Sequence, residues 1–233
     1  MVYSILGQNN SEININKNTT NDVEINGNVR SDDATINLNL NTVNSVLNGT
    51  VSDNGTTNGT NLTLANGAEW NNTGASNVKN VSMNVGIINQ NSDEDITVGN
   101  YSGTGDINFK AKNTDNNGVL DFTNTGDVTI GTAEEGSSVN LGVINNTVNT
   151  LDIEKTEENL NAIAEKVSYT GTEGNLTGKV TVKEGLITPE ASGDLLFDTN
   201  NNKRGYVSNV IFGDKVTQTM KAIQNFSETA IVA

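Results

Sequence analysis

Hydrophobic residues along this chain fall at alternate positions in short runs. Ile13 and Ile15 lie on one side of the stretch EININ, with Asn14 and Asn16 opposite, and INLNL sets Ile36, Leu38 and Leu40 against Asn37 and Asn39. The pattern returns at Leu62/Leu64, Val81/Met83/Val85, Ile96/Val98, Ile107/Phe109, Leu120/Phe122, Val128/Ile130 and Val139/Leu141/Val143. A period of two places apolar side chains on one face of a strand, so residues 1 to about 153 are predicted to be all β. Asn-Gly pairs punctuate the runs, at 26–27, 48–49, 54–55, 58–59, 66–67 and 117–118. Both residue types accept positive φ at little cost, so each pair is predicted to turn the chain.

The pattern changes after Leu151. KTEENLNAIAEKV predicts a short helix, with Thr156 as its cap, Glu157 and Glu158 in its first turn and Lys166 in its last. Leu160, Ile163, Ala164 and Val167 fall on one face of it. Strand-like text resumes in NLTGKVTVKEGLITPEASGDLLFD and ends in the turn-like TNNNKRGYV. The final stretch, DKVTQTMKAIQNFSETAIVA, is helical in spacing, with Asp214 as cap and Val216, Met220, Ile223, Ser227 and Ala230 recurring along it. Three segments follow: 1–153 all β, 154–213 a helix plus β module, and 214–233 a terminal helix.

Two architectures accommodate many short strands at even spacing. A sandwich or barrel joins them as antiparallel hairpins, and Asn-Gly is a favoured hairpin turn. A parallel β-helix winds them into stacked coils, each roughly 20 residues long. Composition separates the two. The chain carries about 40 asparagines, roughly a sixth of its length, against 4% aromatic residues and a single Trp. Stacked coils bring equivalent positions about 4.8 Å apart, so amides form ladders and aliphatics fill a narrow interior with little room for large rings. The single proline agrees, since an interior ladder needs every N–H. The parallel coil is the expected fold.

One stretch carries a resemblance. Leu62, Leu64, Gly67, Trp70, Thr73, Gly74 and Val78 form a strand, a turn, a Gly-x-x-Trp and a step into the next strand. VGNYSGTGDINFK, Val98 to Lys110, and GVLDFTNTGDVTIGT, Gly118 to Thr132, follow in order. Residues 60 to 145 resemble the C-terminal part of pertactin-like autotransporter passenger domains, the cargo of type V secretion. The resemblance implies a right-handed parallel β-helix with a small α/β insertion and a C-terminal helix. That terminal helix would lead to an outer-membrane β-barrel translocator lying outside this chain. It further implies display on the bacterial cell surface or outer membrane, or secretion, with Trp70 packed at a coil edge where folding begins. Expected partners are the chain's own translocator and a host surface glycan or protein, or another copy of itself. Adhesion or self-association is the expected role. MVYSILGQNN lacks the form of a signal peptide, so the chain reads as a piece of something longer.

Charge and residue inventory bound the chemistry. A net charge of −15 repels phosphate backbones, so nucleic acid is not an expected partner. With no His and no Cys, triad hydrolysis, thiol chemistry and His-ligated metal sites are excluded. No catalytic, cofactor-binding or metal-binding residue is therefore predicted, no cofactor is expected, and the chain is not expected to be an enzyme. Asp93, Glu94 and Asp95 cluster beside a strand, a pattern more common in solvated turns than in carboxylate catalysis. DTNNNKRG offers oxygens at Asp198, Asn200 and Asn202, yet Lys203 takes the place of the tight-turn Gly of a calcium loop and Asn209 that of its last acid. A lone sugar-stacking role for Trp70 is the functional rival to packing. The alternative function is a β-helical polysaccharide-degrading enzyme or a phage tailspike-like protein.

Overall fold

Most of the alternating runs become strands whose partners lie one full pass of the chain away; the Leu120/Phe122 run is the exception, with only Leu120 and Asp121 in a strand and a near neighbour as partner. The computed structural model describes residues 3–55, 57–113, 118–144, 153–183, 190–198 and 203–213. The predicted helix at 214–233 and residues Asn200 and Asn202 lie outside these. In chain order the first strands are β1 (Tyr3–Gln8), β2 (Glu12–Ile15), β3 (Glu24–Asn26), β4 (Asn28–Asp32), β5 (Thr35–Leu40) and β6 (Val46–Asn48). β7 (Val51–Asp53), β8 (Thr60–Ala65), β9 (Glu69–Asn72), β10 (Ser76–Gln90) and β11 (Ile96–Phe109) follow. The short pair β12 (Lys112–Asn113) and β13 (Leu120–Asp121) is antiparallel, and β14 (Val128–Ala133) and β15 (Ser137–Val143) lead to helix α1 (Ile153–Ala164). β16 (Val167–Tyr169), β17 (Leu176–Lys183), β18 (Glu190–Phe197) and β19 (Gly205–Phe212) complete the described chain. The protein is all-β in class, with one large, mixed, open sheet.

Three parallel columns organise that sheet. β1, β4, β7 and the start of β10 form the first, which continues through β11, β14 and β16. β2, β5 and β8 form the second and run into the middle of β10 and β11. β3, β6 and β9 form the third, extended by the ends of β10 and β11 and then by β15 and β17. β10 and β11 are long because each serves all the columns in one pass, where the sequence pattern predicted separate short strands. Parallel pairing also runs on past residue 153, since β16 and β17 add to the same columns. Among the described residues, antiparallel pairing enters the main sheet where β18 folds back on β17 and β19 on β18, with one further bridge between Ser168 of β16 and Arg204.

Aliphatic side chains stack along these columns. In the third, Ile25, Leu47, Trp70, Ile88, Ile107, Leu141 and Val180 occupy successive partner positions. Each is buried, so every residue covers its neighbours in place of a globular centre. The second column reads Ile15, Leu38, Leu62, Val81 and Tyr101.

Several local expectations are corrected. The helix begins at Ile153, so Thr156 is not a cap but sits buried inside it, and Glu154 occupies the first turn in place of Glu157 and Glu158. Lys166 lies beyond the helix, and Val167 belongs to β16. Leu160, Ile163 and Ala164 are fully buried as predicted. Asn159 secures the docking: its Oδ1 accepts the Leu120 N–H at 2.7 Å and its Nδ2 donates to the Gly118 carbonyl at 2.8 Å.

The Asn-Gly pairs divide by mechanism. Asn66 and Gly67 both have positive φ, 56° and 83°, and Gly27 stands at 138°. Gly49 does not need positive φ. A Cβ there would collide with the Gly27 carbonyl one pass below, so close stacking selects glycine.

Val85 breaks its predicted alternation. The β10–β11 register shifts between Asn84 and Gly86, and this bulge turns Val85 outward to 66% exposure at a φ of 60°. A β-branched residue is strained there. One pass below, Asn66 occupies a left-handed corner at φ 56° and donates to the Asn41 carbonyl at 3.0 Å. Val85→Asn is therefore expected to stabilise the fold by about 1 kcal/mol, read as a raised denaturation midpoint. A lowered midpoint would show that the valine packs against something in its present place.

Candidate functional site

Asparagine columns dominate the exposed and half-exposed strand faces. Asn37 Nδ2 donates to Asn14 Oδ1 at 2.8 Å, Asn61 to Asn37 at 2.7 Å, Asn80 to Asn61 at 2.6 Å and Asn100 to Asn80 at 2.7 Å. The steps span 23, 24, 19 and 20 residues, and Thr132 Oγ1 adds a further rung on Asn100. A second ladder links Asn26, Asn48, Asn71 and Asn89 through bonds of 2.8 Å, and reaches Asn108 at 3.3 Å. In both, the amide nitrogen points toward the earlier pass. At the first rung that donor goes instead to a glutamate two residues back, Asn14 to Glu12 at 3.0 Å and Asn26 to Glu24 at 2.7 Å. The carboxylate satisfies an N–H that has no further rung beneath it among the described residues.

Trp70 is part of the interior. It is 0% exposed, and its Nε1 donates to the Gly49 carbonyl at 2.9 Å. An indole with no exposed face offers nothing for a sugar to stack on, so the packing role holds and the sugar-stacking role falls. A buried polar network follows it at the next corner. Asn72 Nδ2 donates to Gln90 Oε1 and to the Gly74 carbonyl, both at 2.8 Å, and Ser76 Oγ donates to Asn72 Oδ1 at 2.7 Å. Gln90 Nε2 then donates to the Glu94 carbonyl at 2.8 Å. Alternation alone did not single out these buried amides, because they sit at corners between runs.

Asp93, Glu94 and Asp95 are exposed in a turn. Asp95 Oδ1 accepts the Asp127 N–H at 2.7 Å and so ties this turn to the next pass. That is a structural use of the carboxylate. Among the described residues no group of three or more acidic side chains is placed to hold a metal ion. Of the positions named for the calcium-like loop, Asp198, Lys203 and Asn209 are described; Lys203 Nζ donates to the Thr170 carbonyl at 2.9 Å and Asn209 Nδ2 to Asp194 Oδ2 at 3.0 Å.

The densest charge cluster was not predicted. Asp127 receives both Lys166 and Arg204, the latter at 2.9 Å, and Arg204 also donates to the Glu165 carbonyl at 2.7 Å. These contacts fasten the turn after α1 and the start of β19 to the corner before β14. The three residues lie far apart in sequence, and nothing local marks them as partners.

A groove of about 290 Å³ opens between the end of the parallel columns and the antiparallel strands, lined in part by Tyr169, Glu173, Phe197, Lys203 and Tyr206. The Tyr169 and Phe197 rings meet at 5.5 Å, tilted by 58°, and the Tyr169 hydroxyl donates to the Thr172 carbonyl at 2.9 Å. Elsewhere, burial pushes the Tyr101 phenol well above its usual range, with the Asp106 carboxylate adding to the effect. Its hydroxyl donates to the Ser138 carbonyl at 3.1 Å, so it serves the interior as a neutral hydrogen-bonding group. Comparison with protein-family models, with curated proteins and with solved structures finds no match to this chain.

Proposed function

We propose that this chain is a stretch of right-handed parallel β-helix from a bacterial autotransporter passenger, exported through an outer-membrane barrel and displayed at the cell surface. The single observation that carries the reading is the parallel pairing of three strand columns, the first from β1 to β16, the second from β2 to β11 and the third from β3 to β17, with amide ladders in register as far as β11. Such stacking suits vectorial folding. Each new pass buries its aliphatics and completes its ladders against an edge that already exists, so burial opposes back-sliding without any other energy source. The order of closure supports the same direction. α1, β18 and β19 cover the late end of the columns, while β1, β2 and β3 each have one strand partner among the described residues. A late end continued by antiparallel strands, beside an early edge still free to pair, suits a template. Adhesion or self-association is the role that the long amide-rich faces support.

The test is display. Placed between a secretion signal and a translocator barrel in a Gram-negative host, the chain is expected to reach the surface, scored by protease shaving of intact cells. Deleting 153–213 is expected to leave it trapped or degraded, whereas deleting 3–53 leaves display intact. Failure of the whole chain to emerge, or equal effects of the two deletions, overturns the reading.

A further inference from the structure

Asn-Gly pairs carry a second chemistry besides turning the chain. The glycine amide nitrogen can attack the preceding side-chain amide carbon, expelling ammonia and closing a succinimide ring. Water then opens the ring at either carbonyl, giving aspartate or isoaspartate, and the thermal lability of asparagine arises this way. The reaction needs a free glycine N–H and a side chain that can swing toward it.

The columns withhold both at most of the described pairs. Gly27 donates its N–H to the Asn48 carbonyl at 2.9 Å, Gly49 to the Asn71 carbonyl at 3.1 Å and Gly67 to the Val85 carbonyl at 2.7 Å. The three asparagines are held as well. Asn48 Nδ2 donates to Asn26 Oδ1 at 2.8 Å while Asn48 Oδ1 accepts from Asn71, and Asn66 Nδ2 donates to the Asn41 carbonyl at 3.0 Å. Nucleophile and target are each fixed to a neighbouring pass.

The loop between β7 and β8 differs. Asn54 is exposed, its side chain rests on the half-exposed Asp32 carboxylate and not in an amide ladder, and the N–H of Gly55 has no acceptor among the described residues. Asn58 in the same loop is more restrained. Its Nδ2 donates to Asn10 Oδ1 at 3.0 Å and lies 3.5 Å from Asp33 Oδ1, and Gly59 is buried. The base of the loop is held by Asp53, whose carboxylate accepts the Thr60 and Lys79 N–H groups, each at 2.8 Å. Reaction at Asn54 can therefore proceed without opening the columns.

We infer that, among the described Asn-Gly pairs, the Asn54-Gly55 peptide is the site at which the folded protein deamidates, and that the amide ladders protect the pairs at 26–27, 48–49 and 66–67. The product sets a new carboxylate against Asp32, whose own carboxylate Asn54 touches and which Arg30 holds below the usual carboxylate range. Modification thus adds like charge at one corner of the first column. This inference is independent of the display reading.

Incubation of the full chain in warm, mildly alkaline buffer, with peptide mapping for aspartate and isoaspartate, tests it. Conversion at Asn54 is expected to exceed that at Asn26, Asn48 and Asn66 by about tenfold or more, because those pairs react only through local opening. In denaturant the same peptides are expected to converge, and Asn54→Gln removes the dominant product among these peptides from the folded chain. Equal conversion at a ladder pair and at Asn54 in the folded protein overturns the inference, and so does a tenfold difference that persists in denaturant.

Discussion

Trp70→Ala is expected to destabilise the protein by about 3–5 kcal/mol, within the range for deleting a buried aromatic side chain. The magnitude rests on position. The indole is wholly buried between Leu47 and Ile88 in the third column, and each of those residues is itself 0% exposed. In a stack the space left by a deleted ring opens onto both the pass above and the pass below. Neither can slide in to fill it without breaking its own backbone ladder, so collapse is resisted and the cavity persists. The same substitution strands the Gly49 carbonyl, which loses the indole N–H. Trp70→Phe keeps most of the apolar body but loses that donor, so a smaller loss of about 1–2 kcal/mol is expected. Because Trp70 is the only tryptophan, circular dichroism in denaturant is the appropriate measurement for both variants. A loss below about 1 kcal/mol for the alanine would mean that the column does not depend on its largest member.

The strands, their inward faces and the amide ladders were legible because stacking repeats one local rule. Asn37, Asn61 and Asn80 face outward beside inward-facing Leu38, Leu62 and Val81, and alternation alone sorts them. The scarcity of large side chains pointed to a narrow interior for the same reason. Corners escaped the rule. Val85 was assigned inward because a bulge adds one residue and inverts the pattern, and a single sequence does not mark where the register slips. Gly49 was assigned to a turn because its carbonyl neighbour belongs to another pass. The start of α1 was misplaced by a plausible cap, Thr156, which lies buried inside the helix and not at its end. The Asp127 cluster was illegible altogether, since Arg204 lies 77 residues away from its partner. What is periodic can be read locally, and what joins separate passes cannot.

Gly103 and Gly136 offer a way to measure that second kind of constraint. Both have a φ of 82°, so an alanine at either position carries the same left-handed penalty, about 1–2 kcal/mol. Their surroundings differ completely. A Cβ on Gly136 meets nothing within 4 Å, whereas one on Gly103 lands on the carbonyl oxygen of Met83, its partner in the pass below. The obstructing atom is backbone, so no side-chain rotation relieves the overlap. Relief requires moving β11 away from β10 at a point where both are flanked by paired residues. Overpacking of this sort adds about 1–3 kcal/mol, so Gly103→Ala is expected to lose about 2–5 kcal/mol in total. Gly136→Ala is expected to lose only the conformational part. Denaturation midpoints of the two variants, measured side by side, isolate the contribution of close stacking from that of backbone strain. If the two alanines proved equally damaging, dihedral strain would account for both glycines, and tight contact between β10 and β11 would have no measurable part in holding the passes together.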